Sequence, residues 1–348
     1  MGCKYEEIQH LKMIGIIYKK ANKNIMITNE EYKNAFIKAS DARIAFILED
    51  QYWDYLMEGS ESICGYKSLW ENFCKMLKED FNNDINLYNN EFYKLKRNFK
   101  SLGKYLERNK PNITKEMYNA ELFDFAKNKN DLGKLMYDGH YYLSIDLKDA
   151  AFQFLDYFNC IPNKTFDEFV KEITDYPQIL CFRGNKLKCW NEITLCIGDQ
   201  MERRMGMAVL SKIYENSHPL IKYIKEKGLK IAEIRTDEIL FYVGETNDLS
   251  EEFVNEFCGK DVEIGGFMCH INLFKYGLIH YKINGNEMYK AFFDNVITGK
   301  RKFNAKNCLY MWQLNKLFNG EELNELDKMI RNGSGYIKFN DKIEIIKG

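Results

Sequence analysis

The stretch HYYLSIDLKDAAFQFLDYF, residues 140–158, carries the strongest structural signal in the chain. Its first half is an apolar, aromatic run typical of a β-strand, and it ends at Asp146. Its second half spaces apolar residues as a helix does, with Asp149 three residues after the first acid. The stretch therefore predicts a strand that ends on a carboxylate and leads directly into a helix.

A second stretch, LKIAEIRTDEILFYVG at residues 229–244, places two adjacent acids between apolar runs of strand type. This pattern predicts a tight β-hairpin whose tip projects Asp237 and Glu238. Burying such acids is costly unless a cation compensates them. If both strands are neighbours in one antiparallel sheet, Asp146 and Asp237 converge, and their hard oxygen ligands suit two Mg²⁺ or Mn²⁺ ions.

The segments SIDLKDAAF and RTDEILFYVG, whose acids Asp146 and Asp237 lie 91 positions apart, resemble motifs A and C of palm-domain nucleic-acid polymerases. Motif A is similar to that of reverse transcriptases. Motif C is similar to those of reverse transcriptases and of family B DNA polymerases, including their protein-primed branch. The resemblance covers about residues 137–245 and implies a nucleotidyltransferase that extends a primer by two-metal phosphoryl transfer. It also implies Asp146, Asp237 and the Leu147 carbonyl as metal ligands, with Glu238 as a supporting acid.

The motifs depart from these families at three positions. Arg235 stands where family B has an aspartate, and Glu238 stands where reverse transcriptases have a second aspartate. Ala151 takes the place of an aromatic residue that in both families commonly excludes the ribose 2′-hydroxyl. If the register holds, the sequence predicts room for a ribonucleotide.

An incoming nucleoside triphosphate carries about four negative charges and needs cationic side chains near the acids. One candidate set lies on a hairpin predicted for ILCFRGNKLKCWNEITLC, residues 179–196, around a Gly184–Asn185 turn. The other lies on the helical pattern of residues 199–227, which presents guanidinium groups rigidly and therefore ranks slightly higher. The nucleotide-binding candidates are Arg183, Lys186 and Lys188 on the hairpin, and Arg203 and Arg204 on the helix.

A helical pattern near residues 90–108 is unusually basic. From Glu91 to Lys115, eight Lys and Arg residues stand against two glutamates, which gives a net charge of +6. Interleaved aromatic residues can stack on bases, so this helix is either a nucleic-acid contact or simply a solvated face. The candidate nucleic-acid contacts are Lys94, Lys96, Arg97, Lys100 and Lys104, joined by Lys275 and Lys282 on two strands predicted around Gly277.

The chain has 348 residues and only 4 prolines, which fits helices with a few strands better than a sandwich or barrel. We expect an α+β fold in which an antiparallel palm-type sheet packs with helices. Residues 1–110 are predicted to form a helical N-terminal region and residues 111–295 the catalytic palm and fingers. Residues 296–348 are predicted to form a small thumb-like region with a helix over 306–331. Because so short a palm leaves little room for full fingers and thumb, a protein subunit or a bound single strand is a candidate for completing the channel.

Composition narrows the partners and the compartment. Lysine and arginine number 50 against 51 acidic residues, so only local patches can hold a nucleic-acid primer and template. Ten cysteines without a CxxC pair, and no signal-peptide pattern, predict a reducing cytoplasmic or other intracellular compartment and argue against a zinc site. No apolar run approaches the roughly 18 residues of a membrane helix, so no membrane partner is expected.

Two other functions stay open at this point. The chain is alternatively a catalytically inert scaffold that binds nucleic acid or a viral protein through the basic helix. A further alternative is a transferase that adds nucleotides without a template or to a protein, which needs the same acids but no template channel. No Walker A loop, GxGxxG turn or HExxH pair competes with these interpretations. The usage of lysine, asparagine and isoleucine points to an A/T-rich genome, that of a phage or another virus.

Overall fold

A computed structural model of the chain describes residues 30–40, 53–54, 57–58, 65–127, 136–161, 165–303, 308–323 and 343–346. These residues form one sheet of eight strands packed with helices. Every strand pair in this sheet is antiparallel. The predicted α+β class with an antiparallel sheet is therefore confirmed.

Within the described ranges, helices come first along the chain. They are α1 (residues 30–40), α2 (Tyr66–Phe81), α3 (Ile85–Arg108) and α4 (Ala120–Lys127). Helix α3 begins where the Asp84 carboxylate accepts hydrogen bonds from the backbone N–H groups of Asn86 and Leu87, at 2.9 and 3.1 Å. The helix predicted near residues 90–108 is confirmed. Of the region predicted as helical over residues 1–110, residues 1–29 and most of 41–64 lie outside the described residues.

The remaining elements alternate between strands and helices. In chain order they are β1 (Tyr141–Leu147), α5 (Ala150–Tyr157), α6 (Phe166–Ile173), α7 (Arg183–Ile197), α8 (Asp199–Tyr214), α9 (Pro219–Glu226), β2 (Lys230–Ile234), β3 (Glu238–Gly244), α10 (Glu251–Phe257), β4 (Asp261–Ile264), β5 (Phe267–Ile283), β6 (Asn286–Asn295), β7 (Arg301–Phe303), α11 (Cys308–Phe318) and β8 (Ile343–Ile345). Short 3₁₀-helices cover Lys115–Met117 and Pro177–Cys181.

The two acid-bearing strands lie side by side in the middle of the sheet. The strand order is β2-β3-β1-β5-β6-β7, and β4 and β8 each pair with β5. In register, Asp146 of β1 faces Glu238 of β3 on one side and His270 of β5 on the other. Apart from the short β4 before β5, the chain order of strand, helices, hairpin, helix and strand is that of a β-α-β-β-α-β motif, which here places β1 beside β3.

The two faces of β1 differ, as its alternating pattern requires. Leu143, Ile145 and Leu147 are buried in the main core, together with the helices. On the opposite face, Tyr142 is fully buried in a smaller apolar cluster, whereas Asp146 near the strand end stays partly exposed. Helices therefore close one face of the sheet, and the other face is accessible at its acidic end.

One apolar core joins the N-terminal helices to the sheet. Its buried members include Phe99 of α3 and Ile145 of β1. Helices α3 and α7 approach closely at Gly103, where a Cβ would lie 2.9 Å from the carbonyl oxygen of Glu192. The described helices before residue 110 thus pack directly on the predicted catalytic region, and the domain boundaries stay predictions.

The hairpin predicted for residues 179–196 is wrong, because this segment is helical. The Gly184–Asn185 pair lies in the first turn of α7, not in a hairpin turn. There the buried Asn185 amide donates to the Ile179 carbonyl and to the Tyr88 hydroxyl, both at 2.9 Å. The buried residues that follow recur with a helical period, at positions 189, 190, 193, 194 and 197.

The two strands predicted around Gly277 are in fact one strand, since β5 runs without a break from Phe267 to Ile283. Gly277 faces Phe292 of β6 in register. A Cβ on Gly277 would lie 2.1 Å from the Phe292 ring. The glycine therefore gives space to a cross-strand aromatic ring and does not mark a turn.

The predicted C-terminal region is described only in part. Of the helix predicted over 306–331, the structure describes α11, which ends at Phe318. Leu314 of α11 is buried in a small cluster with Ile279 and Tyr281 of β5. Residues 324–342 lie outside the described residues, so the thumb-like assignment stays a prediction.

Candidate active site

Two aspartates from distant parts of the chain meet at one end of the sheet. Asp146 is the last residue but one of β1, and Asp237 directly precedes β3. The backbone N–H of Leu147 donates to the Asp237 carbonyl at 2.8 Å, which joins the two strand ends. The prediction that the two acid-bearing strands are antiparallel neighbours is therefore confirmed.

The turn that carries Asp237 packs directly against helix α8. A Cβ added to Gly206 of α8 would lie 2.2 Å from the carbonyl oxygen of Thr236. A backbone hydrogen bond from the Arg235 N–H to the Glu238 carbonyl, at 2.8 Å, closes the turn. The helix predicted to precede the hairpin thus fixes the position of the hairpin tip by backbone contact.

Glu238 does not project from the hairpin tip, because it is the first residue of β3 and only 5% exposed. Its carboxylate accepts hydrogen bonds from the Ser144 hydroxyl and the Arg235 guanidinium, both at 2.6 Å. Arg235 also pairs with Glu233 at 2.7 Å. The arginine that departs from the family B pattern therefore compensates a buried acid.

Both aspartates carry charge that their surroundings disfavour. Burial and the neighbouring Glu238 carboxylate raise the pKa of Asp146 to about 6. Burial and the same carboxylate also raise the pKa of Asp237. Lys302 opposes both pKa shifts without cancelling them. Burial and a neighbouring carboxylate therefore make the ionised form of both aspartates costly, and a bound cation would relieve that cost.

The two aspartates line a cleft of about 780 Å³. Its walls come from the end of β1, the start of α5, helices α7 and α8, the β2–β3 turn and β7. The charged lining residues are five acids and five bases, namely Asp146, Asp149, Glu202, Asp237 and Glu238 with Lys148, Arg183, Lys186, Arg235 and Lys302. A cleft of this volume accommodates a ligand of nucleotide size.

Two of the predicted nucleotide-binding cations line this cleft. Arg183 and Lys186 both lie in the first turn of α7. Lys186 forms an ion pair with Asp149, which follows β1. Asp149 has a left-handed backbone with φ 48°, a conformation that aspartate adopts more readily than most residues. These two cations therefore lie beside the acids, although the hairpin predicted to carry them is a helix.

The other three predicted nucleotide-binding cations lie elsewhere. Lys188 donates to the backbone carbonyl of Lys38. Arg204 donates to the backbone carbonyl of Ile113. Arg203 is exposed on α8 and does not line the cleft. The helix that favoured these two arginines is present, but it does not bring them to the aspartates.

Ala151, the position for which the polymerase resemblance predicts contact with the sugar, lines the cleft. The next residue, Phe152, is buried and stacks on Phe166, with ring centroids 4.5 Å apart. The Phe152 ring is thus packed in the core, and the small Ala151 precedes it at the cleft.

Sequence reasoning missed several charged residues of the cleft, among them Lys302 and Glu202. Lys302 comes from β7, which reaches the site through its pairing with β6, and no sequence pattern links it to the acids. Glu202 accepts a hydrogen bond from the Trp190 ring N–H at 2.7 Å, which ties α8 to α7. Burial raises the pKa of Glu202. An acid beside two arginines in a helical pattern is typical of a surface, so only the fold reveals its position.

A histidine and an aspartate pair beside the site. His270, the strand neighbour of Asp146, has its Nδ1 atom 2.7 Å from one Asp261 oxygen. Lys148 Nζ lies 2.5 Å from the other oxygen of this carboxylate. The bonds from Lys148 and His270 hold the pKa of Asp261 below its usual value. No sequence pattern places an acid beside His270, and the pairing of β4 with β5 supplies one.

The predicted nucleic-acid contacts lie outside the cleft. Lys275 of β5 is 5.6 Å from the centroid of the Tyr141 ring. Lys282 of β5 pairs with Glu287 at 3.3 Å. The remaining predicted contacts share helix α3 and are Lys94, Lys96, Arg97, Lys100 and Lys104. The structure thus separates the basic helix from the acidic site.

The oxygen atoms that the site offers are of the kind that Mg²⁺ prefers as ligands. Asp146 and Asp237 offer hard oxygens, to which the polymerase resemblance adds the Leu147 carbonyl. Among the described residues, no three His, Cys, Asp or Glu side chains converge as a complete ligand set. Because Mg²⁺ is commonly bound by one or two carboxylates together with substrate phosphates, the site fits an ion shared with a substrate.

Comparison with known proteins gives no family assignment. No family model matches the chain, and no curated protein or solved structure matches it. In the part of the chain that the structure describes, no helix is both long and apolar enough to cross a membrane. The function is therefore inferred from the cleft and its motifs.

Proposed function

We propose that the chain is a palm-type nucleotidyltransferase that extends a nucleic-acid primer with nucleoside triphosphates. The observation that carries this proposal is that Asp146 and Asp237 line one cleft together with cationic side chains. Phosphoryl transfer depends on this combination, because the protein contributes mainly positioning and charge stabilisation.

In this proposal Asp146, Asp237 and the Leu147 carbonyl hold two divalent ions, Mg²⁺ or Mn²⁺. When bound, such ions neutralise phosphate charge and stabilise the attacking and leaving oxygens. Asp146 and Asp237 are raised in pKa by burial and by a neighbouring carboxylate, so a bound cation keeps both ionised. Glu238 supports the site from within the sheet, since its own carboxylate is occupied by Ser144 and Arg235.

The cationic side chains of the cleft bind the triphosphate in this proposal. Arg183 offers a planar group that can donate two hydrogen bonds to one phosphate. Lys186 pairs with Asp149, and a triphosphate would replace that carboxylate as its partner. Lys302 lowers the pKa of both aspartates and would therefore also lie near a phosphate held through cations at this site.

The cleft favours catalysis over the inert scaffold. A scaffold gives no reason to leave two partly buried aspartates without full compensation, because that arrangement costs stability. Addition of nucleotides without a template would use the same residues. Dependence on a template separates that activity from polymerisation.

Primer extension by the purified chain tests the proposal. The reactions contain a labelled primer–template, ribonucleoside or deoxyribonucleoside triphosphates, and Mg²⁺ or Mn²⁺; parallel reactions omit the template or contain EDTA. We expect Asp146→Asn and Asp237→Asn each to lower extension by roughly 10³-fold. Asp156→Asn, an exposed acid of α5 outside the cleft, is the matched control and should retain activity.

Two results would contradict polymerisation. One is metal-dependent extension that survives both cleft substitutions, and the other is a wild-type chain that extends no primer under any of these conditions. Equal extension with and without template would assign the cleft to an untemplated transferase instead.

A further inference from the structure

A line of cations follows the exposed side of α3, outside the cleft. Helix α3 buries apolar residues that recur every three or four positions, among them Leu95, Phe99, Leu102 and Leu106. The helical repeat places four exposed cations on the opposite side. This α3 line consists of Arg97, Lys100, Lys104 and Arg108.

The α3 line is not neutralised by the protein. The neighbouring Lys94 and Lys96 do have acidic partners, Glu91 at 3.4 Å and Glu192 at 3.0 Å. Within the described residues, no acid forms an ion pair with a member of the line. Glu107 is the one acid between its first and last members in the sequence. Like charges three and four residues apart repel along a helix, so a polyanion on this face would relieve that repulsion.

The spacing of the line suits one nucleic-acid strand. At about 1.5 Å per residue, successive members lie roughly 4.5 to 6 Å apart along the helix axis. This spacing is similar to the distance between successive phosphates of a single strand. The whole line is about 16 Å long and therefore spans about three or four phosphates.

Exposed aromatic rings distinguish a single strand from a duplex. Tyr93 is 60% exposed and Tyr105 is 43% exposed, whereas Tyr88, Phe92 and Phe99 of the same helix are buried. Exposed rings beside a cationic groove or face can stack on bases, and only unpaired bases are open to stacking. We therefore propose that α3 binds a single-stranded nucleic acid through the α3 line and these two tyrosines. Such binding requires neither Asp146 nor Asp237 and goes beyond the function proposed for the cleft.

Fluorescence anisotropy with a labelled single strand of about 12 nucleotides tests this inference. EDTA is present, so that no divalent ion links the cleft to a phosphate. We expect the change of all four members of the line to alanine to weaken binding about tenfold or more at about 100 mM salt. The slope of log affinity against log salt should fall by about 3, since each lost phosphate contact removes about 0.7.

The matched control removes the same charge elsewhere on the surface. It changes four exposed lysines to alanine, Lys222, Lys225, Lys227 and Lys230, and should alter the affinity less than about twofold. Equal losses in the two variants would overturn the proposal. Circular dichroism should show both variants folded, because all the replaced side chains are exposed.

The tyrosines test the choice of a single strand. We expect Tyr93→Ala with Tyr105→Ala to weaken single-strand binding about fivefold or more and to leave duplex binding unchanged. A duplex of the same length that binds as tightly as the single strand would overturn the proposal. Asp146→Asn should bind the single strand like the wild type. Single-strand binding without primer extension would contradict the proposed polymerase and support this inference. Primer extension without binding at the α3 line would support the polymerase and overturn this inference.

Discussion

Gly206 of α8 lies so close to Thr236 that a Cβ on the glycine would stand 2.2 Å from the Thr236 carbonyl oxygen. Because Gly206 lies within a regular helix, its role here is to leave space for the Thr236 backbone. Thr236 directly precedes Asp237, and the contact therefore sets where this aspartate stands relative to Asp146. The helix positions the candidate active site without contributing a side chain at that point.

We expect Gly206→Ala to displace the turn and to slow nucleotide addition by about 10²-fold, because catalysis depends on placement to within about 1 Å. Helix propensity alone favours alanine by about 1 kcal/mol, so a loss of activity cannot come from a weaker helix. Extension rate and thermal unfolding are measured on the same samples. An unchanged rate together with a higher unfolding temperature would show that the turn tolerates the methyl group.

Ala151 gives a prediction about sugar selection. We expect the wild type to incorporate ribonucleotides, and Ala151→Tyr to reduce their use about tenfold or more relative to deoxyribonucleotides, since a ring would meet the 2′-hydroxyl. Ala151→Ser is the control and should leave the preference unchanged. Single-nucleotide incorporation with each sugar type measures the ratio. Strict use of deoxynucleotides by the wild type would show that Ala151 is not the sensing position.

The acids of the site were predictable, and the reason lies in local pattern. Asp146 and Asp237 each interrupt or end an apolar run of strand type, and strand pairing follows from such runs. Arg183 and Lys186 were placed on a hairpin that does not form, because Gly184–Asn185 is typical of a turn, whereas in the structure the Asn185 amide is buried and hydrogen-bonded in the first turn of α7. The helical period of the buried residues that follow outweighs this local turn signal.

Other parts of the site had no local signal. Lys302 reaches the aspartates because β7 pairs with β6, which pairs with the long β5, and this arrangement depends on three strands at once. Gly277 was interpreted as a break because nothing in the sequence shows that Phe292 lies across from it. Pairings of this kind are fixed by register between distant segments, which a single sequence does not display.

The positions of the cations predict which substitutions weaken nucleotide binding. We expect Arg183→Ala and Lys302→Ala each to raise the KM for nucleoside triphosphate by about tenfold or more, because each removes a charge from the cleft proposed to bind the phosphates. Arg203→Ala and Lys300→Ala are the matched controls, since both residues are exposed and neither lines the cleft. Steady-state kinetics with varied nucleotide measure KM. A larger effect of Arg203→Ala than of Arg183→Ala would contradict the assignment.

The helix cap formed by His218 should make the stability of the protein depend on pH. Its Nδ1 accepts the Leu220 N–H at 3.2 Å and caps α9, and burial lowers the pKa of His218 below its usual 6.5. His218 binds a proton more readily in the unfolded chain than in the folded protein. The stabilisation that its cap provides is therefore present above about pH 6.5 and is lost as the pH falls. We expect the free energy of unfolding in urea to fall by up to about 1 kcal/mol between about pH 7.5 and 5.

The variant His218→Asn separates this cap from other titrating groups. Asparagine caps helices well and does not titrate, so the part of the pH dependence that comes from His218 should disappear. Glu256, which opposes the shift in the pKa of His218, is left unchanged in this variant. The same pH dependence in the variant and the wild type would assign it to other groups.

The raised pKa of Asp146 predicts how the free energy of unfolding changes with pH when EDTA removes divalent ions. Its pKa is raised from 3.8 to about 6, so ionisation of this carboxyl opposes folding. The protonated Asp146 carboxyl contributes fully to the stability of the folded protein below about pH 4. This contribution is lost as the pH rises through about 6. In EDTA at about pH 7.5, Asp146→Asn should therefore raise the free energy of unfolding by roughly 1 to 2 kcal/mol, and this gain should shrink below about pH 5.

Added Mg²⁺ should stabilise the wild type and not the variant Asp146→Asn. An ion that binds only the folded protein stabilises it, so millimolar Mg²⁺ should raise the unfolding temperature of the wild type and leave Asp146→Asn unchanged. Asp156→Asn should behave like the wild type in both conditions, because this acid is exposed and lies outside the cleft. If Asp146→Asn destabilises the protein in EDTA at about pH 7.5, the carboxylate is already balanced by protein groups. The electrostatic argument for a cation between Asp146 and Asp237 would then fail, and with it the main physical support for phosphoryl transfer in this cleft.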